Sequence, residues 1–421
     1  MKRSFFKNYG FFLMMLTGMV LGCILGEIFP AVRDEDGTIL SAGATVLEPL
    51  GTVFLNLMFC VVVPMVFCSI ASAIASMDSA RTAGKIMGIT ISTFFVTATI
   101  AALLMFAAVQ LFPPVQEQYE ITEGTVDTAV PLGQLVVNFF PQPDFYELLS
   151  RKAILPLIVF AVLCGFGIQL SGGKDSMAAK LLQDITACLF KTVHLITYYA
   201  PIGFLGFFAS LVAGYGTKVI ADYARALGLY YILSFLYMLL VFPLYARFGG
   251  GKTGVKTMFR HLFRPAMVAF GTCSSVATLP TNMEAARRTG ISAPVADIVL
   301  PLGATMHMDG SAMSAIVKVA FLFGIFGQDF TSAQGILAVV VAVLSSVAMS
   351  GIPGGGSTGE LVLCTIFFPE QLAVAFPIAI ALGNLVDPPA TMVNAAGDYV
   401  SCYIVSRFVD GKNWLQEKFN K

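Results

Sequence analysis

Three carboxylates, Asp309, Asp387 and Asp398, stand inside stretches that are otherwise apolar and long enough to cross a bilayer. An ionisable side chain at that depth costs roughly 3 kcal/mol or more, so such groups ordinarily face a solute or ion path rather than lipid. Asp387, Thr391, Asn394 and Asp398 follow one another at spacings of 4, 3 and 4, which places them on one face of a helix. One such stripe can hold both a solute and an ion, since a carboxylate suits an ammonium group and hard oxygen ligands suit an alkali cation. Asp309 lies in the run Gly303-Ala304-Thr305-Met306-His307-Met308-Asp309-Gly310-Ser311, and Asp387-Pro388-Pro389 opens a second polar interruption. Together they point to transport. Cys273 or Ser274 with His307 is a conceivable nucleophile and base, but no motif for such chemistry accompanies them, and the chain is read as no enzyme.

The elements that must position these residues are membrane helices. The chain is 57% hydrophobic and 12% charged, against about 45–50% apolar and about 25% charged in a soluble domain. Lys+Arg 25 and Asp+Glu 25 cancel, which offers no case for a nucleic-acid partner. The eight cysteines are scattered through apolar segments without the spacing of a zinc or redox motif, and read as small buried hydrophobes. Phe11 to Ile28 is of about spanning length and has no convincing cleavage site, so it reads as a retained helix.

Apolar runs near 10–29, 45–76, 86–112, 153–170, 181–213 and 224–246 predict six helices within residues 1–250. In residues 251–410 the pattern changes, with interruptions at Cys273-Ser274-Ser275-Val276-Ala277-Thr278-Leu279-Pro280 and at Ser350-Gly351-Ile352-Pro353-Gly354-Gly355-Gly356-Ser357. Lipid cannot satisfy unwound backbone, so each break must be buried in protein or face a polar cavity. The reading is a pair of re-entrant hairpins, each followed by a helix with polar breaks, a repeated arrangement that points to a midplane binding site. The expected fold is therefore an all-α polytopic membrane protein with eight transmembrane helices, two re-entrant helical hairpins and inverted repeats. Lys and Arg gather at both termini and in 77–85, 171–180 and 246–264, whereas 30–43 and 113–150 are acidic. By the positive-inside rule both termini, including the tail 411–421, belong in the cytoplasm. The lack of long extramembrane domains suits a prokaryotic inner membrane.

On these residues the chain resembles the glutamate transporter homologue family, the dicarboxylate/amino acid:cation symporters, over essentially its whole length. The Cys273–Pro280 run is similar to the serine-rich tip of that family's first hairpin, and Gly351-Ile352-Pro353-Gly354-Gly355-Gly356 to the tip of its second. Leu300-Pro301-Leu302-Gly303-Ala304-Thr305 leads into a variant of the family's Asn-Met-Asp-Gly-Thr break. Thr391-Met392-Val393-Asn394-Ala395-Ala396-Gly397-Asp398 resembles the binding stripe of the final helix, and Val62–Phe67 and Ala200–Gly203 fit the scaffold.

The resemblance implies a trimeric scaffold, formed mainly by residues 1–250, and a transport unit in 251–410 that moves against it in an elevator motion. It gives substrate contacts to Ser274, Ser275, Ser311, Gly351, Ile352, Pro353, Gly354, Asp387, Ala390, Thr391 and Asn394. Asp387 would receive an amino group and Asn394, with hairpin-tip amides, an α-carboxylate. A Na+ site would form from Asp398 with backbone carbonyls near Gly303, His307 and Asn394, and a second cation site from Asp309 with Thr93.

The departures from the family's pattern are specific. Ala390 stands where carriers of acidic solutes have an arginine, and Cys273 where some members place one instead. A side-chain carboxylate would lack its bidentate partner, so the expected cargo is a small neutral amino acid such as serine, alanine or threonine, coupled to Na+. The alternatives are a proton- or sodium-coupled symporter of dicarboxylates or acidic amino acids and, in another class, an anion channel. His307 replaces the asparagine of the family motif, Phe94 a serine and Thr90 a tyrosine. These changes fall on the Asp309 site. His307 is either a neutral hydrogen-bonded core residue or a proton carrier. Lys318 and Glu360, costly at their depth, are expected to pair with each other or with Asp297.

Overall fold

The computed structural model describes residues 14, 17–33, 39–75, 81–116, 144–150, 153–216, 218–348 and 357–419. Helix α1 covers Thr17–Ile28. A small antiparallel pair, β1 (Val32–Arg33) and β2 (Ile39–Ser41), follows it in a connection expected to carry no sheet. The helices α2 (Glu48–Ala75), α3 (Arg81–Leu111) and α4 (Ile154–Ser171) match three of the expected spans.

The single span expected at 181–213 is two helices, α5 (Met177–Thr197) and α6 (Ala200–Tyr215). Pro201 is the reason: it has no N–H to give and fits only the first turn of a new helix. The span expected at 224–246 runs on instead. Helix α7 (Lys218–Leu236) passes through one π-helical turn, Tyr237–Val241, into α8 (Phe242–Thr272). Helix α8 kinks at Gly251, whose φ of 67° only glycine adopts without strain.

The remaining helices are α9 (Ser275–Thr289), α10 (Ala293–Met306), α11 (Asp309–Ile325), α12 (Ser332–Ala348), α13 (Ser357–Phe367), α14 (Leu372–Val409) and a short tail helix α15 (Trp414–Phe419). The chain reverses between α8 and α9, which pack on one another, as the first hairpin requires. Helices α12 and α13 also pack together, while Gly351, Ile352, Pro353 and Gly354, the expected second tip, lie outside the described residues.

The sequence reading placed a break in the last apolar segment at Asp387-Pro388-Pro389, yet α14 continues through it. Pro389 withholds the N–H that Leu385 would accept, and the Tyr231 hydroxyl on α7 donates to that carbonyl at 2.9 Å instead. A polar side chain has replaced the missing backbone donor, which keeps the helix intact at buried depth.

Helix α14 is central, packing against α3, α7, α8, α9, α10, α11 and α13, while α2 gathers α4, α5 and α6 around itself. Helix α11 is buried almost all round, and beyond its polar start it is apolar except for Ser314 and Lys318. Large apolar side chains such as Leu111, Leu163, Leu240 and Leu244 are exposed. Among the described residues four helical stretches, Lys85–Leu111, Val219–Thr272, Ala293–Ile325 and Val374–Val409, are long and apolar enough to cross a membrane. The molecule is a multi-pass, predominantly helical membrane protein.

Candidate functional site

A chain reversal and a break within one apolar span place two helix starts against α14. At the first, Cys273 takes a left-handed conformation with φ 49°, and Ser274 caps α9 by accepting from the Ala277 amide at 3.2 Å. A serine with its Oγ on the third amide is a strong helix start. Ser275, next along, is buried, and its Oγ has no hydrogen-bond partner among the described residues. Asn282 of α9 fastens the hairpin to α14 by donating to the Ala395 carbonyl at 2.7 Å.

At the break α10 ends on Met306 and α11 begins on Asp309, with His307 extended and Met308 non-helical between them. The first amides of α11 are orphan donors of the helix start. Asn394 of α14 answers them across the interface: its Oδ1 accepts from Gly310 N at 2.7 Å and from Ser311 N at 3.3 Å. Its Nδ2 donates to Ser311 Oγ at 3.1 Å and lies 3.3 Å from Met308 Sδ. Asn394, Ser311 and the amides of α11 therefore form one polar cluster, a seat with the N–H groups a carboxylate accepts from.

Along α14 the spacing holds. Thr391 Oγ1 donates to Asp387 Oδ1 at 3.2 Å. Cys273, Tyr230 and Tyr231 lie near enough to Asp387 for its charge to act on them, so the hairpin tip and α7 frame the space above it. Ala390 is buried, and its backbone packs against Gly310, where even a Cβ would come within 2.3 Å of the Ala390 carbonyl oxygen. No residue among Ser274, Ser275, Ser311, Asp387, Ala390, Thr391 and Asn394 is basic.

The expected cation ligands meet a different arrangement. Asp309 is fully buried and accepts from Thr97 Oγ1 at 2.9 Å on Oδ1 and from Tyr237 Oη at 2.9 Å on Oδ2. Thr93, expected there, instead donates to its own helix at the Ile89 carbonyl. Helix α3 presents Thr97, one turn further along, to the carboxylate. His307 lies between two acids, with Nε2 3.2 Å from Asp309 Oδ1 and Nδ1 3.0 Å from Asp398 Oδ1. Gly303 is against Asp398, where a Cβ would stand 2.6 Å from Oδ1, and the Gly303 carbonyl accepts from the His307 amide.

Sequence reasoning missed Thr97, Tyr237, Asn282 and Tyr231. Thr97 was within reach, because it repeats Thr93 at a helical spacing of four. Tyr237 gave no signal: the π turn that aims it at Asp309 is a departure from the helical period, of a kind that recurs at functional sites.

A helical membrane fold, a first hairpin and a polar seat between two helix starts and a final amphipathic stripe are together the features of one transporter architecture. The model of the sodium:dicarboxylate symporter family matches residues 11–408 of the chain. The chain belongs to this family. Among curated relatives of this symporter, the C4-dicarboxylate transport protein of Burkholderia cenocepacia is 26% identical over 415 residues, covering 96% of this chain and 93% of the relative. The C4-dicarboxylate transport protein of Rhizobium johnstonii is also 26% identical, over 417 residues, covering 97% of this chain and 90% of the relative. The family is one of transporters, in agreement with the expectation of a membrane symporter, and the relatives' names favour the dicarboxylate alternative over the neutral amino acid.

Proposed function

We propose that this symporter moves a small carboxylate-bearing solute across its membrane together with a cation, with C4-dicarboxylates as the first class of cargo. The relatives' names support that class, and the cluster of Asn394 with the Gly310 and Ser311 amides supports a carboxylate anchor. One carboxylate of the solute would take the place on these donors that the Asn394 side chain now holds, and Ser275 Oγ is a buried hydroxyl available to it. The working assembly in this reading is a homotrimer in a prokaryotic inner membrane with both termini cytoplasmic, moving as an elevator, with Na+ or H+ as the coupling ion.

A neutral amino acid is the second reading, and Asp387 favours it. Its charge in a pocket without Lys or Arg attracts an ammonium group and repels a second carboxylate. The test is thermal stabilisation of the purified protein in detergent by succinate, fumarate and malate against serine, alanine and threonine. A ligand that binds only the folded state raises stability with its concentration over its Kd. Stabilisation by the diacids alone establishes the first reading, stabilisation by the amino acids alone the second, and stabilisation by neither class removes the carboxylate seat as a binding site.

A further inference from the structure

The ring of His307 occupies a socket built for it. Phe94 covers one face with ring centroids 4.6 Å apart. On α14, Gly397 gives the ring its room, since a Cβ there would stand 2.5 Å from His307 Cε1. The two departures seen separately in the sequence, His307 and Phe94, are thus one contact, and the missing side chain of Gly397 completes it.

The ring's two nitrogens reach opposite sides of that socket. Around Nδ1 stand Asp398 Oδ1 at 3.0 Å and the Asn394 carbonyl at 3.2 Å, both acceptors. Around Nε2 stand Asp309 Oδ1 at 3.2 Å and Thr97 Oγ1 at 3.1 Å, and the Thr97 hydroxyl has its own acceptors in Asp309 Oδ1 at 2.9 Å and the Phe94 carbonyl at 3.2 Å. Each nitrogen therefore stands against oxygens that can accept from it, with a carboxylate oxygen on both sides of the ring. The ring is tethered between two carboxylates.

This arrangement fits a coupling cation poorly at one place and well at another. A hard cation needs several oxygen lone pairs directed at it, yet Asp309 accepts from Thr97 on one oxygen and from Tyr237 on the other, and the His307 ring stands against it at 3.2 Å. Asp398 differs. Its Oδ1 meets His307, but its Oδ2 is buried with no partner among the described residues.

We propose that His307 sets the ion coupling of this chain, its side chain standing where the family resemblance gives Asp309 a cation, so that of the two expected cation sites the place at Asp398 Oδ2 is the one left for a coupling ion. The inference rests on the symport reading for its purpose, but its test needs no solute. Equilibrium binding of radioactive Na+ to the purified full-length protein, at constant ionic strength with choline, counts cations per chain. The wild type is expected to bind at most one, and Asp309→Asn to leave that number unchanged. His307→Asn, which removes the ring and offers an amide oxygen, is expected to bind one more than the wild type and to lose it again when combined with Asp309→Asn. Two or more Na+ on the wild type, loss of a Na+ in Asp309→Asn alone, or a folded His307→Asn with no added Na+ would each overturn the proposal. If His307→Asn does not fold, the wild-type count and the Asp309→Asn comparison still decide. A protein that binds none of the solutes above refutes the symport reading while leaving this count intact.

Discussion

Tyr231 on α7 donates its hydroxyl to the Leu385 carbonyl on α14 at 2.9 Å, and that carbonyl is the one Pro389 cannot serve. The bond lies two residues before Asp387, so it supports the helix where the Asp387–Asp398 stripe begins as well as satisfying the backbone. Tyr231→Phe leaves a carbonyl at membrane depth without its donor, at an expected cost of about 1–3 kcal/mol. Thermal unfolding in detergent should show the loss, together with weaker solute binding. Unchanged stability would mean that α14 continues through Pro389 for another reason.

What could be read in the sequence were relations within one helix or one turn. The spacing of Asp387 and Thr391 put them on one helix face, where they are hydrogen-bonded, and the run around Ser274 foretold the reversal, where Ser274 caps α9. Relations between helices were not legible, because a helical period fixes which residues share a face but not how one helix is rotated on another. Thr93 was chosen for Asp309, where Thr97 stands one turn on, and Tyr237 reaches Asp309 only because a π turn shifts the phase of α7 into α8. The continuity of α14 was hidden for a related reason: Pro388-Pro389 signals a break, and its rescue comes from a tyrosine more than a hundred and fifty residues earlier.

Asp387→Asn separates the two cargo readings by sign. If the solute brings an ammonium group to this carboxylate, the substitution removes a charge-assisted bond and binding of serine, alanine and threonine falls by about tenfold or more. If the solute is a diacid, removal of a like charge tightens succinate or malate binding instead. Isothermal titration on the variant reads either direction, and unaltered affinity for both classes would show that Asp387 does not face the solute.

Ala390→Arg supplies the planar donor that the pocket lacks. The residue lies one position before Thr391 on the stripe and is buried beside Gly310, so the guanidinium must extend toward the solute space to be hydrated or paired. The ratio of aspartate to serine affinity should rise by about ten- to a hundredfold, the worth of one hydrogen-bonded charge pair. A folded variant with an unchanged ratio would show that the solute side chain points elsewhere.

Lys318 of α11 pairs with Glu360 of α13, both nearly fully buried, with Nζ 2.5 Å from Oε1. Of the two pairings foreseen for Lys318, this one ties the helix after the first break to the outgoing arm of the second hairpin. Gly383 of α14 makes room for it, since a Cβ there would lie 2.3 Å from Glu360 Oε1 and 3.0 Å from Lys318 Nζ. Removing one charge strands the other out of water, so Glu360→Gln or Lys318→Met should each cost about 3–5 kcal/mol. Replacing both with methionine removes the stranded charge and should restore most of the stability, because a buried pair gains little over apolar side chains of similar volume. If the double variant is stable but carries solute more slowly, the pair serves the movement of the hairpin; if its transport is that of the wild type, the pair serves only to neutralise two charges that the fold has buried. Equal loss in the single and double variants would show that the pair contributes through packing, and that neither charge is left uncompensated by removal of the other.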